Sequence, residues 1–172
     1  PSNKKIKNFD IFLFAIKPQV CEKVINEYKN IQIKNTTVIV SIIAGKKISY
    51  FKKIIKNSKQ IIRIMPNMPA LIGEGTSCLV SNNNTSISNQ KKINNLFSKV
   101  GQTIWLNNEK QIDMATAISG SGPGYVFTII DAFEKASQKL GFSKQTSRDL
   151  VLNTILGSVK LMKITNKEPE IR

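Results

Sequence analysis

The sequence predicts an α/β protein in which a mostly parallel sheet is followed by an all-helical segment. Over the first two thirds of the chain, strand-length apolar runs alternate with amphipathic helical stretches at a spacing of about 24 residues. After residue 109 no run is typical of a strand, and apolar residues recur only at helical spacing. We therefore expect a boundary near residues 106–110, with one domain over residues 1–108 and a second over residues 109–172.

Three apolar runs are expected to be strands of the parallel sheet, at residues 9–16, 36–44 and 60–65. Continuous apolar runs are typical of strands that are buried on both faces. Helices are expected between them, from Pro18 to about Asn30 and over residues 48–56, because apolar side chains recur there on one face.

The remaining elements follow the same patterns. We expect strands at residues 76–80 and 102–106, and helices at 87–100, 113–118, 125–140 and from Ser143 onward. Gly141 is expected to end one helix, and Ser143 is expected to cap the next. The last helix is apolar nearly all round, which is typical of a helix in a core or a subunit interface.

The composition narrows the classes of partner. The 172 residues carry a net charge of +15, from 26 Lys and Arg against 11 Asp and Glu, which at first suggests nucleic acid or an anionic membrane surface. Only three of the basic residues are arginines, the type preferred for bidentate recognition of phosphate. The lysines are spread along the chain, so we favour a solvated basic surface and consider nucleic acid an unlikely partner.

Several functional classes are excluded or disfavoured by what the sequence contains. It has no histidine, which rules out histidine-based triads and metal sites, and Cys21 and Cys78 are isolated, so no metal site is expected. Isolated cysteines favour a reducing compartment, and no apolar run is long enough to span a bilayer. With no visible signal peptide, a cytoplasmic location is expected.

Residues 119–125, Ser-Gly-Ser-Gly-Pro-Gly-Tyr, stand out among these patterns. Three glycines and a proline disfavour a helix interior, so we expect this segment to precede a long helix with Pro123 in its first turn. Backbone N–H groups at such a start can bind an anion or a polar ligand. From spacing alone, a tight corner between two helices is an equally good interpretation.

Three loops leave the carboxyl ends of the predicted parallel strands, at residues 15–18, 42–45 and 65–67. Ligands of parallel α/β sheets bind at this edge. Each loop has small residues or proline and at most one polar side chain, so a flat ligand could approach the backbone. The G-x-G-x-x-G fingerprint of dinucleotide binding does not occur in this sequence.

Four segments resemble, in order and spacing, the pyrroline-5-carboxylate reductase family: DIFLFAIKPQ, VSIIAGKKI, IIRIMPNMPALIGEGTSCL and ISGSGPGYVFTIIDAFEKASQKLGFS. The resemblance extends over residues 9–172. It implies a partial Rossmann-type domain followed by a truncated helical dimerisation domain that interlocks between subunits. It also implies reduction of the cyclic imine 1-pyrroline-5-carboxylate to L-proline with NADPH or NADH, the last step of proline biosynthesis.

The resemblance also implies site residues, although it identifies no certain catalytic residue. Those expected against the cofactor are Ala15, Ile16, Lys17, Pro18 and Asn67, with Ile42, Ile43 and Ala44 near its nicotinamide. Those expected against the substrate are Ser119, Gly120, Ser121, Gly122 and Glu109. Glu109 matches an acidic residue of the family and would favour the protonated imine, while a charge at a helix N-terminus is an equally open interpretation.

Two segments that the resemblance leads us to expect are missing from the sequence. One is a Gly-rich phosphate loop ahead of residue 1, and the other is a Thr-Ser-Pro-Gly-Gly-Thr-Thr-like segment after Arg172. The alternative to an active reductase is therefore an inactive remnant that still self-associates through its helices. A basic nucleic-acid-binding protein is the third and weakest interpretation.

Overall fold

The computed structural model describes residues 9–31, 33–55, 57 and 59–165. Packing divides the chain into two compact units, the first ending at Pro123 and the second beginning at Gly124. This division falls later than the boundary expected after residue 108, because Ile112 is fully buried in the core of the first unit. A division by packing does not test where the two domains meet, so the expected domain boundary stays a prediction.

The first unit is built on a five-stranded sheet in the order β1-β2-β3-β4-β5. Strands β1 (Ile11–Phe14), β2 (Val38–Ser41) and β3 (Gln60–Met65) are parallel neighbours. Strand β4 (Gly75–Ser81) is antiparallel to β3, and β5 (Gly101–Trp105) is parallel to β4. The predicted, mostly parallel α/β sheet is confirmed.

The reversal at β4 has a simple cause in the chain length between strands. Parallel neighbours need a crossover connection of about a dozen residues or more. Residues 66–74 are too few for that crossover, so β4 runs back along β3. The carboxyl ends of β1, β2 and β3 therefore share one edge of the sheet, and β4 begins at that same edge.

The helices of the first unit are α1 (Cys21–Glu27), α2 (Ile48–Ile54), α3 (Ile87–Phe97) and α4 (Glu109–Ala115). Short 3-10 turns precede α1 and follow α3. The predicted helices are confirmed within a few residues, and Lys56, predicted to end the second, lies outside the described residues. Helix α4 begins earlier than predicted because the Asn108 side chain accepts the Gln111 N–H (3.0 Å) and caps it.

Both faces of the sheet are covered, as continuous apolar strands predict. On one face, α1, α2 and α4 pack on a core that includes Phe14, Ile25, Ile39, Phe51, Ile61 and Ile112. On the other face, α3 packs on a core that includes Val38, Val40, Ile62, Ile64, Ile93 and Phe97.

After α4 the backbone stays helical but widens. Thr116–Gly120 forms a π-helical turn in which the Ser121 N–H donates to the Thr116 carbonyl (2.9 Å), and α5 (Gly122–Lys139) follows. The expectation that the segment only precedes a helix is therefore wrong for Ser119 and Gly120, which lie in the π-helical turn. The expected place of Pro123, in the first turn of the long helix, is confirmed.

The second unit contains the rest of α5 and α6 (Lys144–Thr165). Gly141 ends α5 with a φ of 101°, and the Ser143 hydroxyl accepts the Thr146 N–H (3.1 Å) as the predicted cap. On α6 only Ser147 and Val151 are buried, so most apolar side chains of both helices stay exposed in this chain. Among the described residues, no helix combines the length and hydropathy that crossing a membrane requires.

Candidate functional site

The loops after β1 and β2 lie side by side at the carboxyl edge of the sheet. The Ile42 N–H donates to the carbonyl of Phe14, the last residue of β1 (3.1 Å). The buried Ser41 hydroxyl accepts the Ile43 N–H (3.2 Å), which shapes the second loop just after its strand ends. The two loops that were predicted to bind the cofactor are therefore brought together by the fold.

The predicted cofactor residues differ in what they can present to a ligand. Ala15, Lys17, Pro18 and Ala44 are exposed, and Ile16 and Ile42 are half-buried. The Ile43 side chain is 1% exposed and belongs to the core, so this residue can line a pocket only through its backbone.

The third loop contacts the serine- and glycine-rich segment. Asn67 donates from Nδ2 to the Ser119 carbonyl (3.0 Å), while its Oδ1 accepts the N–H of Thr76, at the start of β4 (2.8 Å). A Cβ placed on Gly120 would lie 3.2 Å from Met65 Cε, so the glycine permits the end of β3 to approach. Cys78 Sγ lies 3.8 Å from the Ser119 hydroxyl.

Of the predicted substrate residues, the segment 119–122 thus borders the end of β3. Ser119, Gly120 and Gly122 are half-buried and Ser121 is exposed. A Cβ on Gly122 would meet nothing within 4 Å, so the space beside this residue is open. The segment borders the loop after β3 and presents mainly backbone, which suits a small polar ligand.

Glu109 lies in a network of ionic and hydrogen-bonded contacts. Its Oε1 accepts the Ile48 N–H (2.8 Å) and lies 3.3 Å from Nη1 of Arg63. Nη2 of Arg63 lies 2.8 Å from Asp113 Oδ1. Helix α2 has no side-chain cap of its own at Lys47, so Glu109 caps it from a distant part of the chain. Glu109 also lies in the first turn of α4, as the helix-terminus interpretation expects.

Arg63, Asp113 and Cys78 were not among the predicted site residues. Arg63 is 3% exposed in β3, between the buried residues Ile62 and Ile64. A charged side chain is buried only when it is paired, so its position in the sequence already indicates a partner. Glu109 and Asp113 are spaced i, i+4 and share one face of a helix, which makes them candidates for that pairing.

Near the second loop, the pKa of the Tyr50 side chain departs from its ordinary value. Burial raises the pKa of the Tyr50 hydroxyl, and Cys21 and Glu22 raise it further. Cys21 Sγ lies 4.0 Å from this hydroxyl, and Lys46 Nζ lies 4.5 Å from the centre of the ring. Tyr50 is therefore uncharged at neutral pH.

Comparisons with known proteins show a similarity to pyrroline-5-carboxylate reductases. Residues 109–171 match the family model described as pyrroline-5-carboxylate reductase dimerisation. The chain is 35% identical to pyrroline-5-carboxylate reductase from Haemophilus influenzae over 153 residues, covering 89% of this chain and 56% of the relative.

Solved structures agree with this match. The chain superposes on a pyrroline-5-carboxylate reductase from Coxiella burnetii with a TM-score of 0.86 and 30% identity, covering 94% of this chain and 60% of that one. For pyrroline carboxylate reductase from Plasmodium falciparum with NADP bound, the TM-score is 0.85 and the identity 34%, covering 99% of this chain and 63% of that one.

These matches confirm the Rossmann-type nature of the sheet and the helical dimerisation type of the C-terminal part. The chain spans about three fifths of the length of the relatives it matches. Over that part, the chain is similar to pyrroline-5-carboxylate reductases in both sequence and structure.

Proposed function

We propose that the protein containing this chain reduces 1-pyrroline-5-carboxylate to L-proline with NADPH or NADH. The observation that carries the proposal is the hydrogen bond from Asn67 to Ser119, which holds the serine- and glycine-rich segment at the carboxyl edge of the sheet. A cofactor at this edge and an imine beside the segment would then be neighbours. The identity of 35% to a curated reductase supports the same activity.

The strand-end loops fit a nicotinamide cofactor. Ala15 and Ala44 are small and exposed, and Gly45 has open space where a side chain would be, so a flat ring can approach the backbone. The cofactor supplies the hydride. In the proposal, residues 15–18 line the cofactor, while Ile42, Ala44 and the backbone of Ile43 hold its nicotinamide end by shape.

The backbone of residues 119–122 would hold the imine substrate. The acceptor carbon is attacked more easily when the imine nitrogen is protonated, and Glu109 is our candidate for the carboxylate that favours this form. Its contacts with Ile48 and Arg63 favour instead a role in positioning α2 and α4. Glu109→Gln separates these roles, because it removes the charge but keeps an acceptor for both donors.

If the charge of Glu109 favours the protonated imine, Glu109→Gln lowers kcat and shifts its pH profile. If Glu109 only positions the two helices, kcat keeps its pH profile and only the free energy of unfolding falls. Steady-state kinetics across pH, with urea unfolding of the same sample, decide between the two.

We further propose that the protein self-associates through its helical part and works in the cytoplasm. Two observations support self-association, the match of residues 109–171 to a dimerisation family and the exposed apolar side chains of α5 and α6. The partner in this proposal is a second copy of the chain, and the ligand is a small cyclic imino acid. Nothing in the matches points to nucleic acid.

The direct test is an assay of the intact protein with 1-pyrroline-5-carboxylate and NADPH or NADH. We expect loss of the reduced-nicotinamide absorbance to depend on the imine and to match the amount of proline formed. A folded protein that oxidises neither cofactor above the imine-free control would contradict the proposal, and would favour the inactive remnant instead.

A further inference from the structure

We propose that Asn67 is a positioning residue, whose role in the site is to orient the Ser119–Gly120 peptide of the substrate segment rather than to bind the cofactor. The proposal rests on the proposed function, since it assigns a role within that site. It is an alternative to the expectation that Asn67 binds the cofactor.

The two ends of the Asn67 amide have different partners. Oδ1 accepts the Thr76 N–H at 2.8 Å, and Nδ2 donates to the Ser119 carbonyl at 3.0 Å. A neutral amide offers one acceptor and one donor in this geometry, whereas an ionised carboxylate offers acceptors only. The pairing therefore requires a side chain with both a donor and an acceptor, which asparagine has and an ionised aspartate lacks, and it fixes which way the amide points.

Holding the Ser119 carbonyl has a consequence for its neighbour. The carbonyl of Ser119 and the N–H of Gly120 belong to one planar peptide unit, so orienting the first orients the second. This peptide lies in the π-helical turn, where the regular i→i−4 ladder of helix hydrogen bonds is interrupted. Met65, at the end of β3, packs against Gly120 and adds a second contact at the same place.

The same two bonds limit how the amide can meet a ligand. An amide has two N–H donors and two acceptor positions, of which Ser119 and Thr76 use one each and fix the plane of the group. A ligand would therefore reach only the second N–H or the second lone pair, and the bond to Ser119 would stay in place. Asn67 thus fixes the segment of residues 119–122 relative to the end of β3.

The chain offers a matched control in Asn82, beside the opposite end of β3. Its Oδ1 accepts the Ile61 N–H (3.0 Å) and its Nδ2 donates to the Lys59 carbonyl (2.8 Å). Asn82→Asp breaks the same kind of bond far along the strand from the proposed site. Asn82→Asp therefore shows how breaking such a bond affects the fold, without an effect on the proposed site.

The experiment compares the intact protein with its Asn67→Asp, Asn67→Ala and Asn82→Asp variants. We measure KM for 1-pyrroline-5-carboxylate, kcat and the Kd of NADPH across pH, and amide hydrogen exchange of residues 116–121. Well above the carboxyl pKa, we expect Asn67→Asp to lower kcat/KM by about 10- to 100-fold, the cost of an unpaired carbonyl facing a charge. The Kd of NADPH and the kinetics of Asn82→Asp should match the wild type.

The pH dependence of the Asn67→Asp activity distinguishes the positioning role from other causes of a lower activity. Once protonated, the carboxyl group introduced by Asn67→Asp can donate to the Ser119 carbonyl again, so the activity of this variant relative to wild type should rise as pH falls through that carboxyl pKa. Asn67→Ala should show no such recovery. A raised Kd of NADPH at every pH, with an unchanged KM for the imine, would overturn the proposal in favour of a cofactor contact.

Hydrogen exchange separates this proposal from the proposed function. If the wild type shows no imine reduction, the proposed function fails, and exchange still tests the positioning role. Residues 116–121 should exchange faster than wild type in Asn67→Ala and in ionised Asn67→Asp, but not in Asn82→Asp. Equal exchange in all four proteins would overturn the positioning role.

Discussion

At the scale of single residues, the Arg63 guanidinium connects three elements of the first unit. It extends from β3 to Glu109 and Asp113 on α4, and Glu109 in turn binds the N-terminus of α2. The arginine is 3% exposed, while the side chains of the two carboxylates are 26% and 49% exposed. Removing the arginine would leave two acidic groups facing a place from which water is largely excluded.

We therefore expect Arg63→Met to lower the free energy of unfolding by about 3 kcal/mol, the lower end for a broken buried pair, because the carboxylates are partly solvated. Urea unfolding measures this loss. Lys92→Met is the control, since it removes a surface pair with Asp10 and should cost less than about 1 kcal/mol. Equal losses in the two variants would contradict the structural role of Arg63.

Tyr50 allows a prediction about pH. Its pKa in the folded state lies above the unfolded value of about 10, chiefly because partial burial disfavours the charged form. Its contribution to stability is therefore complete below the unfolded pKa and is lost as pH rises through the folded pKa. Tyr50→Phe should remove a late step from the alkaline tyrosine titration and flatten the loss of stability at high pH. An unchanged titration would refute this assignment.

At the scale of elements, the pairing of β4 with β5 depends on two glycines. Gly75 and Gly101 are opposite each other in the parallel register, and Gly101 has a φ of 136°. A Cβ on Gly101 would overlap the backbone of Gly75. Glycine is needed here because both the backbone conformation and the close approach exclude a side chain.

We expect Gly101→Ala to destabilise the protein by about 3 kcal/mol, from backbone strain and from the displaced strand. The exposed neighbour Gln102 is the control, and Gln102→Ala should leave stability nearly unchanged. Thermal unfolding of both variants tests the prediction. A Gly101→Ala protein as stable as Gln102→Ala would show that β5 can shift without cost.

At the scale of the whole molecule, the helical unit exposes more apolar surface than water-facing helices usually do. Phe133 is 60% exposed and Leu156 is 53% exposed, and neighbouring positions on both helices are similar. Large contiguous apolar surface is typical of an interface. This agrees with the match of residues 109–171 to a dimerisation family.

We expect Phe133→Asp to shift the protein from oligomer to monomer, because a charge at a covered apolar site is costly. Sedimentation velocity gives the mass directly. Lys139→Asp, on the same helix, is a polar-to-polar control that should leave the oligomer intact. A wild-type protein that sediments as a stable, folded monomer would contradict self-association.

The local elements could be predicted from the sequence because each depends on neighbouring residues. The alternation of apolar runs and helical patterns located all five strands of the sheet, and Gly141 and Ser143 marked the ends of the last two helices. The predicted strands at residues 9–16 and 36–44 are longer than the observed ones, since apolar pattern continues into loops that pack on the same core.

The sequence by itself determined the fold class, the order of the elements and the segments that form the candidate site. Only the tertiary structure decided what the polar residues of those segments bind. Asn67 pairs with Ser119 and Thr76, and Glu109 pairs with Ile48 and Arg63, across separations that no local pattern encodes. The physical reason is that apolar burial follows local periodicity, whereas a hydrogen bond depends on which distant donor the packed sheet brings within reach.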